Sequence, residues 1–150
     1  MTVEIAVFLV LVATTFINLG VQMYIHWEAY PLLAYVGKSE FAAYIAEYER
    51  RLAVPLLLPY ALSLITAIIA LIAPPDQVSR VILGIAFLLN LAVSMVTMMV
   101  AAPVYEAHKK AGSVTSAGLA DLMRINLLRL ALTLLSGLVI LYLLGNMLSK

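Results

Sequence analysis

The sequence predicts an all-α, integral membrane four-helix bundle, and three features predict it. Hydrophobic residues fill 65% of the 150 positions and charged residues only 11%, against roughly a quarter charged in soluble domains. Four apolar stretches, at about residues 5–24, 52–72, 81–102 and 125–148, each reach the ~20 residues needed to cross a ~30 Å hydrocarbon core. What remains leaves no room for a separate soluble unit, so residues 1–150 read as a single four-span transmembrane domain.

Helix one runs without proline as far as His26-Trp27-Glu28-Ala29-Tyr30-Pro31. The residue before a proline is pushed out of helical geometry, so the helix is expected to stop there, with its aromatic residues at the headgroup boundary. Its apolar run is too long, and its amino end too poor in basic residues, for a cleaved secretory signal, so it reads as a mature helix. After Gly37, Ser39 is the expected N-cap of helix two. Phe41, Tyr44, Ile45, Tyr48 and Leu52 then recur at helical spacing, which predicts an amphipathic lead-in running into span two. Pro55 and Pro59 lie within that span, where each removes a backbone hydrogen bond and invites a kink. Pro74-Pro75-Asp76 forms the turn into span three, which is expected to end near Pro103. Thr115 or Ser116 caps helix four ahead of its apolar run, so helices two and four are expected to extend beyond the bilayer on one side. No internal repeat or low-complexity segment is evident.

The charge distribution sets an orientation. Seven of the nine Lys and Arg residues lie in or beside the loops after helices one and three, whereas Arg80 and Lys150 lie on the other side. The positive-inside bias therefore predicts that both long loops lie in the cytoplasm and both termini outside it. The net charge of +1 gives no nucleic-acid signature. Cysteine is absent, which excludes disulfide exchange and thiolate-ligated metals.

Polar residues line one face of three spans. Thr15, Asn18, Gln22 and His26 do so in helix one, and Asn90, Ser94, Thr97, Tyr105 and His108 keep the same rhythm in helix three. Helix four offers Asn126, Arg129, Thr133 and Ser136. Such faces turn toward one another because lipid leaves their hydrogen-bonding groups unsatisfied. For the hydroxyls, bonding to their own backbone accounts for their presence, and for the amides interhelical glue competes with a lined pocket. At the loop side Glu47 and Arg51 join the histidines, in competition with a merely solvated rim of weak surface pairs.

Apolar walls with a mouth of His, Tyr, Glu and Arg suit a hydrophobic ligand with one polar end. Histidine near neutrality can take a proton from a phenol or activated carbon, and Arg or Asn stabilises the resulting anion. His26, Arg129 and Tyr105 are accordingly the catalytic candidates, and Asn18, Gln22, Glu47, Arg51, Asn90, His108 and Asn126 the ligand-binding ones. Alternatively, His26 and His108 clamp a b-type haem, or the chain is a non-catalytic subunit of a larger membrane complex or homo-oligomer. No His-x-x-x-His or Glu-x-x-His pair is present to supply a hydrolytic metal site, so no metal is expected.

Four segments carry a family resemblance: NLGVQMYIH closing helix one, FAAYIAEYERRLAVPLLLP entering helix two, AAPVYEAHKKAG leaving helix three and LADLMRINLLRLAL opening helix four. Together they resemble a family of small four-helix bacterial membrane proteins related to the anthrone oxygenases. The family's His near the end of helix one corresponds to His26. Its Pro-x-His after helix three corresponds to Pro103 with Tyr105 or His108, and its Asn-Trp-x-Arg-Thr segment to Asn126 and Arg129. Leu127 and Leu130 stand in place of the Trp and Thr. The resemblance implies oxygenation of an aromatic, polyketide-like substrate. The expected function is thus binding, and oxygenase-like oxidation, of a hydrophobic aromatic or quinone-like molecule near the cytoplasmic face, with no cofactor required by the sequence.

Overall fold

In the computed structural model, which describes residues 2–149, four rods cross the molecule. We denote them α1 (Val3–Tyr35), α2 (Phe41–Ile72), α3 (Arg80–Ala111) and α4 (Ser116–Leu148). Each holds 32 or 33 residues, about 48 Å at ~1.5 Å per residue. All four therefore outreach a ~30 Å hydrocarbon core, where only helices two and four were expected to. No strand occurs among the described residues. Lys150, one of the two cations assigned to the terminal side, lies outside them.

The discrepancy arises at Pro31 and Pro103, which do not end their helices. A π-helical turn precedes each proline, over Ile25–Ala29 in α1 and Thr97–Ala101 in α3. In these turns the N–H of Tyr30 donates to the Ile25 carbonyl, and that of Ala102 to the Thr97 carbonyl. This i→i+5 pattern inserts an extra residue, so the helix is already out of α register where the proline withdraws its N–H. The two units also share a spacing. Asn18 and Pro31 recur as Asn90 and Pro103, each pair 72 positions apart, so α1 and α3 are parallel copies of one device. That repeat escapes inspection of the sequence because little else between the copies matches.

Thr2, Ser79 and Thr115 cap α1, α3 and α4, their hydroxyls accepting from Ile5, Ile82 and Gly118 N–H. Ser39 does not cap α2. Glu40 N–H closes a turn on the Gly37 carbonyl at 3.1 Å, and the helix begins one residue later, with Glu40 making no side-chain cap. Gly112 ends α3 in the left-handed region at φ 66°, a conformation that glycine adopts without a Cβ penalty. Pro55 and Pro59 sit within an α2 that stays helical from end to end.

The rods form a square in which α1 packs on α2 and α4, and α3 on the same two, with the α2–α3 seam the loosest. Apolar clusters close both ends. Phe8, Leu11, Leu83, Ile140 and Leu143 fill the terminal end, where buried Ala67, Ala70 and Ala86 let the backbones approach. Ile25, Leu33, Phe41, Ile45 and Leu122 fill the loop end. The level between them holds nearly all the buried polar side chains.

Candidate ligand chamber

Polar side chains tie every edge of the square. Between α1 and α2, Asn18 Nδ2 donates to the Pro59 carbonyl at 3.4 Å. Between α3 and α4, Asn90 Nδ2 donates to Ser136 Oγ at 2.9 Å, and Ser136 Oγ donates to the Ala86 carbonyl at 3.2 Å. Ser94 Oγ gives its hydrogen to the Asn90 carbonyl, so Tyr60 of α2 is the donor in the Tyr60–Ser94 bond that closes α2 on α3. The α1–α4 edge carries a ring. Asn126 Nδ2 donates to the Gln22 carbonyl at 3.0 Å, Gln22 Nε2 to Thr133 Oγ1 at 2.9 Å, and Thr133 Oγ1 to the Arg129 carbonyl at 2.9 Å. Arg129 Nη1 then donates to Asn126 Oδ1 at 3.3 Å. Asn18, Gln22, Asn90 and Asn126 are therefore interhelical ties first.

Arg129 is only 6% exposed, which removes snorkelling as its explanation. Of its five N–H donors, one reaches Asn126 and the guanidinium also lies within hydrogen-bonding reach of the Tyr30 hydroxyl, while Nε is buried without a partner. No carboxylate lies within ion-pair distance of it among the described residues. A buried cation lacking a counter-ion costs several kcal/mol, so its surroundings are informative.

Arg129 faces a chamber of about 300 Å³ at the loop end, lined from all four helices. Tyr30, Tyr48 and Tyr105 contribute phenol rings, and Leu52, Leu56 and Leu57 an apolar wall. The Tyr105 hydroxyl is also buried without a partner. Both π turns border this space, the first through Ile25 and the adjoining Tyr30, the second through Thr97 and Ala101. Their wider turns coincide with the level at which the bundle opens. The mouth lies along the loose α2–α3 seam, where Leu57 is 61% exposed. Glu49 stands at its loop-side end, held by Lys109 Nζ at 2.8 and 2.9 Å.

The sequence-predicted residues thus divide into separate groups. Arg129 and Tyr105 share the chamber. Glu47 and Arg51 lie instead on an outer groove between α1 and α2. There Arg50 and Arg51 bond the single Glu47 carboxylate and hold it down at about 2, well below the usual carboxylate range. His26 sits within the first π turn, where counting by four no longer returns to the same face. It lines neither the chamber nor the groove, and its ring meets Trp27 edge-on at 5.0 Å. His108 packs on α4 so tightly that a Cβ at Gly118 would collide with its ring. The two histidines occupy different surroundings, and no cluster of three or more His, Asp or Glu with metal-holding geometry occurs among the described residues.

Tyr30 and Tyr48 were missed as lining residues. Tyr30 precedes a proline in an aromatic cluster, which reads as a headgroup anchor, yet it is 7% exposed. The recurrence of Asn and Pro at matched spacing in helices one and three was the available signal. Comparison with protein-family models, curated proteins and solved structures gives no match.

Proposed function

We propose that this chain is a membrane-embedded binding protein for a hydrophobic, aromatic or quinone-like molecule carrying one anionic or strongly accepting oxygen. The observation that carries this reading is the Arg129 guanidinium, buried without a counter-ion and facing an apolar chamber beside the unpartnered Tyr105 hydroxyl. The Arg129 guanidinium and the Tyr105 hydroxyl, closed over in the ligand-free chain, turn to donate to the ligand's oxygen, and Asn126 Oδ1 holds Nη1 from behind. Tyr30 and Tyr48 stack on the ligand's body, and Leu52 and Leu56 cover it. The ligand arrives from the bilayer through the α2–α3 seam, on the side whose excess of Lys and Arg reads as cytoplasmic.

Binding, rather than oxidation, is the reading that the geometry supports best. An oxygenase of the resembled kind calls for a base at the substrate, and His26 lines no part of the chamber.

Titrating the detergent-solubilised protein with an aromatic carboxylate, a naphthoquinone and the isosteric uncharged hydrocarbon tests the proposal. The first two bind and the hydrocarbon binds at least tenfold more weakly, as expected for charge-assisted hydrogen bonds worth ~1.5–3 kcal/mol. Arg129→Gln removes that distinction. Equal binding of all three ligands, or discrimination that survives Arg129→Gln, overturns it.

A further inference from the structure

A second concavity, of about 730 Å³, runs along the outer face of the α1–α2 seam. Its sides are apolar where the helices cross the bilayer, through Ile17, Val21, Leu52 and Pro55. Its floor is open at Gly20, where an added Cβ would meet nothing within 4 Å. Ile17 and Tyr24, on its α1 edge, are 51% and 54% exposed, so it faces outward, away from the helical core. On α2 it runs from Pro55 past Arg51, one residue before the apolar stretch begins at Leu52, and on to Tyr44 at the loop side. Arg51 stands at the level of the headgroups when residues 52–72 fill the hydrocarbon.

Charge at that level is unbalanced. Arg50 and Arg51 both pair with Glu47, and neither pairs with any other acid among the described residues. Two cations against one carboxylate leave a positive charge in excess, and the Arg51 side chain is 75% exposed. With Glu47 ionised down to about 2, this balance holds throughout the physiological range.

We propose that the groove seats an acyl chain of an anionic phospholipid whose phosphate is bound by Arg51. Apolar walls on the bilayer side of Arg51, with the Arg50–Glu47–Arg51 cluster and its surplus cation at the headgroup level, match both parts of such a molecule. A free phosphate would use only the charged end, and a zwitterionic lipid would offer a choline cation to a site already positive. The proposal is independent of the chamber, although Tyr48 and Leu52 line both spaces and form the wall between them.

The test is native mass spectrometry of the delipidated full chain with added dioleoyl phosphatidylglycerol, dioleoyl phosphatidylcholine or inorganic phosphate. Phosphatidylglycerol is retained about fivefold better than phosphatidylcholine, the factor that corresponds to ~1 kcal/mol for one arginine at an anionic headgroup. Arg51→Ala abolishes that preference. Arg124→Ala, which removes the same charge from α4 on the same rim, preserves it. Gly20→Leu fills the floor and lowers retention of both lipids. Equal retention of the two lipids overturns the proposal, as does an Arg124→Ala effect as large as that of Arg51→Ala. Binding of inorganic phosphate as strong as that of phosphatidylglycerol assigns the charge to a free anion and also overturns it.

Discussion

The two ends of the bundle are built from the same four helices and solve opposite problems. At the terminal end, small residues on α2 and α3 bring the backbones together around Phe8 and Leu143, and beside them Asn90 is tied to Ser136 while the Ser63 hydroxyl is buried without a partner. At the loop end, two π turns carry α1 and α3 through prolines, the α2–α3 seam loosens, and Tyr105 and Arg129, each with a buried unpaired polar atom, line a cavity. Since lipid is as apolar as leucine, burying leucine gives helices little reason to associate in a membrane. Close packing and hydrogen bonds hold the first end; at the second an unpaired cation and an unpaired phenol line a cavity, whereas the unpaired atoms of Asn18, Gln22, His26 and Ser63 line none. The contrast separates polar residues that assemble the protein from those free to do something else.

Substitutions at the two ends sharpen or break this contrast. The largest effect belongs to the packed end. Phe8→Ala opens a cavity in a fully enclosed cluster and costs about 3–5 kcal/mol, read as a lowered thermal unfolding midpoint in detergent, while ligand affinity in the distant chamber stays unchanged. A stability loss below about 1 kcal/mol would show that end to be loosely packed. Asn90→Ala removes the α3–α4 tie and costs less, between the ~0.6 kcal/mol mean and the ~1.7 kcal/mol maximum found for interhelical hydrogen bonds in membranes. Tyr105→Phe deletes a buried hydroxyl that has no partner in the protein, so the unfolding midpoint holds or rises, while affinity for the carboxylate ligand falls about fivefold or more. A destabilisation comparable to that of Asn90→Ala would place Tyr105 among the structural ties.

The fold was legible because its signals are long and redundant. Four apolar runs of span length specify four helices whatever happens at their ends. The seams of Asn18, Gln22, Asn90, Asn126 and Thr133 were legible for the same reason, since i, i+3 and i+4 spacing holds along the regular parts of α1, α3 and α4. His26 shows where that logic stops. A π turn is a backbone event that inserts one residue without a side-chain signature of its own; across it Tyr30 turns inward to the chamber, while His26, its Nδ1 buried without a partner, lines no cavity. An isolated X-Pro disfavours helix, which makes proline read as a terminator, yet Tyr30 and Ala102 keep helical angles and the π turn ahead of each proline has already taken the chain out of α register. Tyr48 was assigned to an amphipathic surface because the chamber that receives it exists only once α2 and α3 stand apart.

The central claim is that Arg129 is a buried cation held for a ligand's oxygen and not for the fold, and the stability of Arg129→Met tests it most directly. Methionine fills similar volume without charge, and replacing an unpaired buried ion by an apolar side chain relieves its desolvation cost. The account predicts an unfolding midpoint equal to or above that of the unsubstituted, ligand-free protein. A fall of several degrees would contradict it and return Arg129 to the set of residues that hold the helices together.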